Sequence, residues 1–395
     1  MKNFEVDESE ALERYLALTA IRGRSGEEKD VADEIVHRLV DAGLDPDHLQ
    51  FDGAERRTRI AGNCGNLIVH LPGSGDGPRT LLSAHMDTVP ICLGSEPYVD
   101  GDQVRSRGAT GLGADDRSGC AAILTAAIAR LRHGGDSLPP AVLAFFIQEE
   151  VGLEGARHLD VSRIGKVDRA FNFDGGPVEK VTIGAIGGER MEITLTGIPA
   201  HAGVAPENGA SAIVMAARAI ADLDARGWLG RVEKEQGVGT ANVGVIQGGE
   251  ATNVITPAVV MRAEARSHDP AMRTKIVSEL RSAFESAAAS VQNAEGLGGE
   301  CQFRSHVDYE AFRLPEGDPS VDALEDAIRG LGREPYQKLA GGGLDANWLA
   351  QHGINAVTVG CGQQNIHTAD ERLQIPDYFD ACRIATHLIG SHGPS

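Results

Sequence analysis

The sequence predicts an α/β fold: a mostly parallel sheet sandwiched by helices, interrupted by an inserted ferredoxin-like α+β domain. Three observations carry this. Short apolar runs such as residues 141–147 alternate with helical stretches over the first half of the chain and again near its end, the pattern of parallel strands buried on both faces. Between about Gly187 and Tyr309 the order becomes strand, helix, strand, strand, helix, strand, that of a ferredoxin-like sandwich. The 395 residues also exceed the ~250–300 over which a single core usually grows. Two domains are therefore expected, residues 1–186 with 310–395, and residues 187–309 as the insertion.

Taken in order, Ser25-Gly26-Glu27-Glu28 has the form of a capping box. The helix it opens places Val31, Ile35, Leu39 and Val40 on one face and stops at Gly43. Strands are expected at 66–71 and 80–84, followed by a glycine-rich loop and an alanine- and leucine-rich helix at about 117–131. Further strands fall at 141–147 and 170–173. In the insertion, strands are expected at 191–196, 239–247, 259–266 and 301–308, with helices at 210–223 and 270–287. Helices at 319–330 and 345–351, a strand at 356–360 and a last helix at 376–389 resume the α/β pattern.

Composition narrows the function classes. The 42% hydrophobic and 24% charged fractions are those of an ordinary globular chain. A net charge of −20 argues against nucleic acid or an anionic membrane as partner. No run approaches the ~20 apolar residues that span a bilayer, and the N-terminus lacks an apolar signal core. The six cysteines are scattered without Cys-x-x-Cys pairs, which suits free thiols in a reducing compartment and points to the cytoplasm.

The chemistry concentrates at strand ends. Glu149 and Glu150 close the apolar run 141–147, although adjacent carboxylates repel and are costly to desolvate. On a continuing strand they would face opposite ways and need two roles, one ligating a metal and the other taking a proton from water. His85 and Asp87 follow the strand at 80–84, at the carboxyl end where open α/β sheets bind ligands. Asp87 can either back a metal-binding histidine through its other nitrogen or hold a base in place. Asp115 and Asp116 stand where a glycine loop meets a helix; the loop is no phosphate cradle, because no Gly-Lys-Ser/Thr follows. Asp174 and His367 each lie beyond a strand, next to glycines. Two histidines and several carboxylates, without a thiolate pattern, favour zinc or a similar divalent ion.

Five segments give the pattern its identity: Ser83-Ala84-His85-Met86-Asp87-Thr88, Gly113-Ala114-Asp115-Asp116-Arg117-Ser118-Gly119, Gln148-Glu149-Glu150-Val151-Gly152, Asn172-Phe173-Asp174-Gly175 and Asn365-Ile366-His367-Thr368. In these the chain resembles the zinc metallopeptidase family of peptidase T, glutamate carboxypeptidase, acetylornithine deacetylase and succinyl-diaminopimelate desuccinylase. The fold implied is zinc-exopeptidase-like. The resemblance implies that His85, Asp115 and Asp174 hold one ion, and that Asp115 bridges to a second held by Glu150 and His367. It makes Glu149 the general base and acid and Asp87 the partner behind His85, and it implies a cis peptide between Asp115 and Asp116. It further implies a lid and dimerisation domain at 187–309, in which His201 of Gly197-Ile198-Pro199-Ala200-His201-Ala202-Gly203 stabilises the oxyanion. Asn253 and Arg266 of the lid, and Gly342 of the loop Gly341-Gly342-Gly343-Leu344-Asp345, would contact substrate.

The motifs lean towards the peptidase T branch, although tripeptide-cleaving relatives tend to carry arginine where this chain reads Lys338-Leu339-Ala340-Gly341. The expected activity is cleavage of short peptides, as a peptidase T-like exopeptidase. Two divalent ions per subunit are expected, zinc first, with manganese and cobalt as alternatives, and a homodimer could form through the lid. The competing readings are an N-acyl amino acid deacylase with the same site, and a catalytically silent binding protein, whose sign would be a missing ligand or base.

Overall fold

The computed structural model describes residues 5–134 and 137–390. The chain divides into two compact units, one running to Ala185 and resuming at Arg313, the other comprising Ile186–Phe312.

The first unit begins with α1 (Glu8–Ala20), whose start is fixed by the Asp7 side chain accepting from the Glu10 N–H. After α2 (Lys29–Asp41) come β1 (Leu49–Phe51), β2 (Leu67–Leu71) and β3 (Thr80–His85). A surface hairpin of β4 (Pro97–Asp100) and β5 (Gln103–Ser106) precedes the long helix α3 (Ala114–Arg132). Then follow β6 (Ala141–Phe146), the short helices α4 (Glu154–Arg157) and α5 (Val161–Ile164), β7 (Arg169–Phe173) and β8 (Lys180–Ala185).

The second unit holds β9 (Gly187–Thr196), α6 (Ala212–Ala225), β10 (Gly230–Lys234), β11 (Gly237–Gly248), β12 (Ala258–Ser267), α7 (Pro270–Ser290) and β13 (Glu300–Tyr309). Its sheet is antiparallel in the order β10-β11-β12-β9-β13. The last four strands of that order have the ferredoxin-like arrangement. β10 is an addition that sequence reading did not find, a short strand with a single buried side chain, Val232. Met191, Ile193, Leu195, Met261 and Phe284 contribute to the core of this unit.

The chain returns through β14 (Phe312–Arg313), α8 (Pro319–Gly330), β15 (Tyr336–Ala340), α9 (Asp345–Gln351) and β16 (Ala356–Val359). The short β17 (Gln363–Gln364) and β18 (Arg372–Gln374) join the hairpin sheet, and α10 (Ile375–Gly390) ends the described chain.

The large sheet runs β1-β2-β6-β3-β7-β16-β8-β14, with β15 beside β8. Its centre, β6-β3-β7-β16, is parallel, and the antiparallel pairs lie towards its margins. Every side chain of β3, β6 and β16 is buried, as strands covered on both faces require. Helices α1, α3, α8 and α10 pack together, and α4 packs with α9. Among the described residues no helix is long and apolar enough to cross a membrane.

The capping box expected at Ser25 does not form. Ser25 Oγ instead donates to Asp87 Oδ2 at 2.6 Å, and α2 begins at Lys29 with no side-chain cap. Glu28 turns inward and accepts from the N–H groups of Gly26 and Gln148. A buried carboxylate 62 residues away competes for the serine hydroxyl and wins. Val31, Ile35 and Leu39 are buried as expected, whereas Val40 is exposed.

Gly119 shows how closely α3 approaches the sheet. A Cβ there would lie 1.9 Å from the Phe173 carbonyl oxygen and 2.5 Å from Asp116 Oδ1. Glycine-to-alanine changes inside helices normally stabilise by ~0.5–1 kcal/mol, but overpacking costs ~1–3 kcal/mol. Gly119→Ala is therefore expected to lower Tm by several degrees in a thermal melt; an unchanged or higher Tm would contradict this packing.

Candidate metal centre

Each acidic or imidazole group of the centre is delivered by an interruption of regular structure. β3 ends at His85, whose side chain is 1% exposed. At the start of α3, Asp115 and Asp116 depart from helical geometry and the peptide between them is cis. Strand β6 stops at Phe146, Gln148 takes a left-handed φ of 53°, and Glu149 and Glu150 begin a 3-10 turn. The two glutamates therefore do not alternate on a strand; a tight turn brings both of their N–H groups onto one acceptor. That acceptor is Asp87, whose Oδ1 lies 2.9 Å from Glu149 N and Oδ2 3.2 Å from Glu150 N. Asp174 follows β7, and His367, at φ 64°, lies beyond β17.

Asp115 stands at the middle. Its Oδ1 is 3.1 Å from His85 Nε2 and its Oδ2 is 3.3 Å from His367 Nε2. His367 Nε2 also lies 3.0 Å from Glu150 Oε1, and His85 Nε2 lies 4.0 Å from Asp174 Oδ1. On the far side of its ring, His85 Nδ1 is 3.1 Å from the Asp87 carbonyl oxygen and 3.4 Å from its Oδ1. Asp87 thus backs the imidazole and clasps the Glu149–Glu150 turn at once.

The donor atoms of His85, Asp115 and Glu150 form one group within 4.8 Å of one another, and those of His85, Asp116 and Asp174 form another. Asp116, which sequence reading placed in the loop without a role, is already engaged. Its Oδ2 accepts from His85 N, and its Oδ1 from Gly119 N and Gln363 Nε2. Glu371, which sequence reading missed, accepts from the N–H groups of Gly113 and Asp115 and so pins the same loop.

Electrostatics match the geometry. Burial pushes the Glu150 and Asp174 carboxyls up to about 7, and raises Glu149 well above the usual carboxylate range. His367 is lifted to about 10 by its contacts with Asp115 and Glu150. For His85, burial lowers the pKa, but the contacts with Asp115 and Asp87 outweigh it and raise the imidazole well above its ordinary value. Burial likewise opposes ionisation of Asp115, yet His367 and His85 hold it below the carboxylate range. Crowded, desolvated carboxylates of this kind call for positive charge. Two imidazoles and hard oxygen donors, with no thiolate among them, fit a borderline divalent ion. The nearby Cys120 is turned away, its Sγ on the His85 carbonyl oxygen.

In the inserted unit, His201 and Asn253 come together: His201 bridges to Val254, and the Asn253 carbonyl accepts from Ala202 N. His201 is exposed, and its Nδ1 accepts from Gly203 N. Arg266 is half-buried on β12 and spends its fork on Glu264, at 3.0 and 3.1 Å. Gly342 lies on the exposed loop before α9. All six cysteines are free.

Comparison with known proteins identifies the scaffold. Residues 81–391 match the family described as Peptidase family M20/M25/M40. The Bacillus subtilis (strain 168) protein YqjE, itself uncharacterized, is 33% identical over 390 residues, covering 97% of this chain and 98% of the relative. A tripeptidase from Staphylococcus aureus subsp. aureus Mu50 superposes with a TM-score of 0.87 at 29% identity, over 98% of each chain. The aminopeptidase PepT from Bacillus cereus ATCC 10987 gives a TM-score of 0.84 at 30% identity, again over 98% of each. The chain belongs to peptidase family M20/M25/M40 and is an enzyme of the metallopeptidase class, a peptidase T-like hydrolase.

Proposed function

We propose that this chain is a dinuclear zinc exopeptidase that cleaves short peptides from the amino end. The observation that carries the reading is the placement of Asp115, one oxygen beside His85 and the other beside His367. A carboxylate so placed suits a bridge between two ions, one held with His85 and Asp174, the other with Glu150 and His367. Bound there, divalent ions supply electrophilic activation of the scissile carbonyl and acidify water. The similarity to a tripeptidase and to an aminopeptidase supports short peptides as substrate and the amino end as the point of attack.

Glu149 is the proton carrier in this reading. Buried, with its backbone N–H held by Asp87, its carboxylate takes a proton from attacking water and returns it to the leaving amine. Asp87 holds both the ring of His85, a candidate ligand, and the backbone of Glu149, the proton carrier. We assign oxyanion stabilisation to His201 and substrate contacts to Asn253, Arg266 and Gly342; for Arg266 this requires exchanging Glu264 for a substrate carboxylate, which its planar fork can grip with two bonds. Free thiols throughout suit a cytoplasmic enzyme, and the inserted unit is our candidate surface for a homodimer.

The zinc- or manganese-loaded enzyme, offered free tripeptides, N-blocked tripeptides, and N-acetyl and N-succinyl amino acids, is expected to cleave the free tripeptides. Removing the metal with a chelator should abolish turnover, and adding it back should restore it. Preference for the N-acyl amino acids would replace this reading with deacylation.

A further inference from the structure

Asp345 stands out among the described residues as a wholly buried carboxylate with neither oxygen hydrogen-bonded. The other acids at 0% exposure are engaged: Glu28, Asp87 and Asp116 accept N–H or O–H groups, and Glu154 meets Arg59. An unpaired buried carboxylate is costly to keep and needs a cause.

The surroundings supply one. Asp345 opens α9, which packs on β16 and β8. Burial drives its carboxyl well above the usual range, and the charges that act on it belong to the centre: His85, then Asp174, Asp87 and Glu150. Glu149 in turn feels Asp345. Two further buried groups lack partners on the adjoining strands, Asn172 Nδ2 on β7 and Thr358 Oγ1 on β16, side by side in the register of the two strands. Asn172 lies two residues before Asp174, and its Oδ1 accepts from Ser83 Oγ, two residues before His85. Spacing of two keeps side chains on one face of a strand, so Ser83 and His85 share a face of β3. Buried donors and acceptors left unpaired suit ordered water.

We propose that Asp345 is a positioning residue that balances the charge of the two ions without ligating either, acting through ordered water held by Asn172 and Thr358. This rests on the two-ion reading above. The negative charge strengthens the hold of the centre on its ions and is itself stabilised by them.

The test compares the full chain with its Asp345→Asn variant, titrated with zinc and with manganese. Ion affinity is read by calorimetry, and Tm is measured with and without metal. The variant is expected to fold, with a smaller metal-induced rise in Tm and at least one Kd raised about tenfold or more, the scale of losing an outer partner of a metal site. Unchanged affinities, or a Tm lowered equally with and without metal, would overturn the proposal in favour of a purely structural role. Thr358→Val should weaken binding in the same direction by less. If Asp345→Asn does not fold, wild-type affinities in Thr358→Val overturn the proposal. Failure of the wild-type chain to bind either metal would instead sink the two-ion reading itself.

Discussion

Glu149→Ala is expected to retain both ions and to lose about 10²–10⁴-fold in kcat, the usual contribution of a positioned general acid–base. The two halves of that expectation come from different atoms. The Glu149 backbone N–H bonds Asp87, so truncating the side chain leaves the turn and the placement of Glu150 intact. The carboxylate itself belongs to neither group of converging donors. Its removal takes away the proton carrier and little else. Metal analysis and steady-state kinetics on the same preparation check both halves. A variant as active as the wild type would remove Glu149 from the mechanism, and one that has lost its metal would make it a ligand.

The second large effect is expected at Asp115. Asp115→Ala deletes the acceptor beside both His85 and His367, so binding at both positions should fail together. Metal content is expected to fall from two ions to below one per chain. Activity should fall by more than the ~10–100-fold that follows from losing an outer partner. Asp174→Ala offers the contrast. Asp174 approaches His85 alone among the two imidazoles, at 4.0 Å, and its loss should weaken one ion while the other persists. Equal stoichiometry in wild type and Asp115→Ala would rule out the bridging role.

Much of the fold was legible because its signals are local. Helices α8 and α9 occupy the expected 319–330 and 345–351, the former opened by the Asp318 cap and Pro319. The apolar runs of β3 and β6 are buried throughout, as their composition requires. Helix α1 was missed although its signal is present, with Ala11, Tyr15 and Leu18 buried at helical spacing after the Asp7 cap. β10 and the β4–β5 hairpin carry mostly exposed or half-exposed side chains and so leave little hydrophobic pattern.

The site divides along the same line. The segments holding His85, Asp115, Glu150, Asp174 and His367 could be picked out because each ends or follows a recognisable element. The choice of Asp115 over Asp116 and of Glu150 over Glu149 came from the family resemblance, and the structure brings the five within a few ångströms of one another. What local reading could not reach were groups defined by distant partners. Glu371 is recruited to the Gly113–Asp115 loop from 258 and 256 residues away, and Gln363 reaches Asp116 across 247. The Ser25 capping box failed for the same reason, its hydroxyl drawn to Asp87.

The most direct test is a metal count with location: the reconstituted chain is analysed for metal by mass spectrometry, and its crystals for anomalous scattering at the zinc edge. Two ions per chain are predicted, with Asp115 between them, one beside His85 and Asp174 and the other beside Glu150 and His367. Fewer than one ion per chain after reconstitution, together with no hydrolysis of any peptide or N-acyl amino acid, would contradict the account.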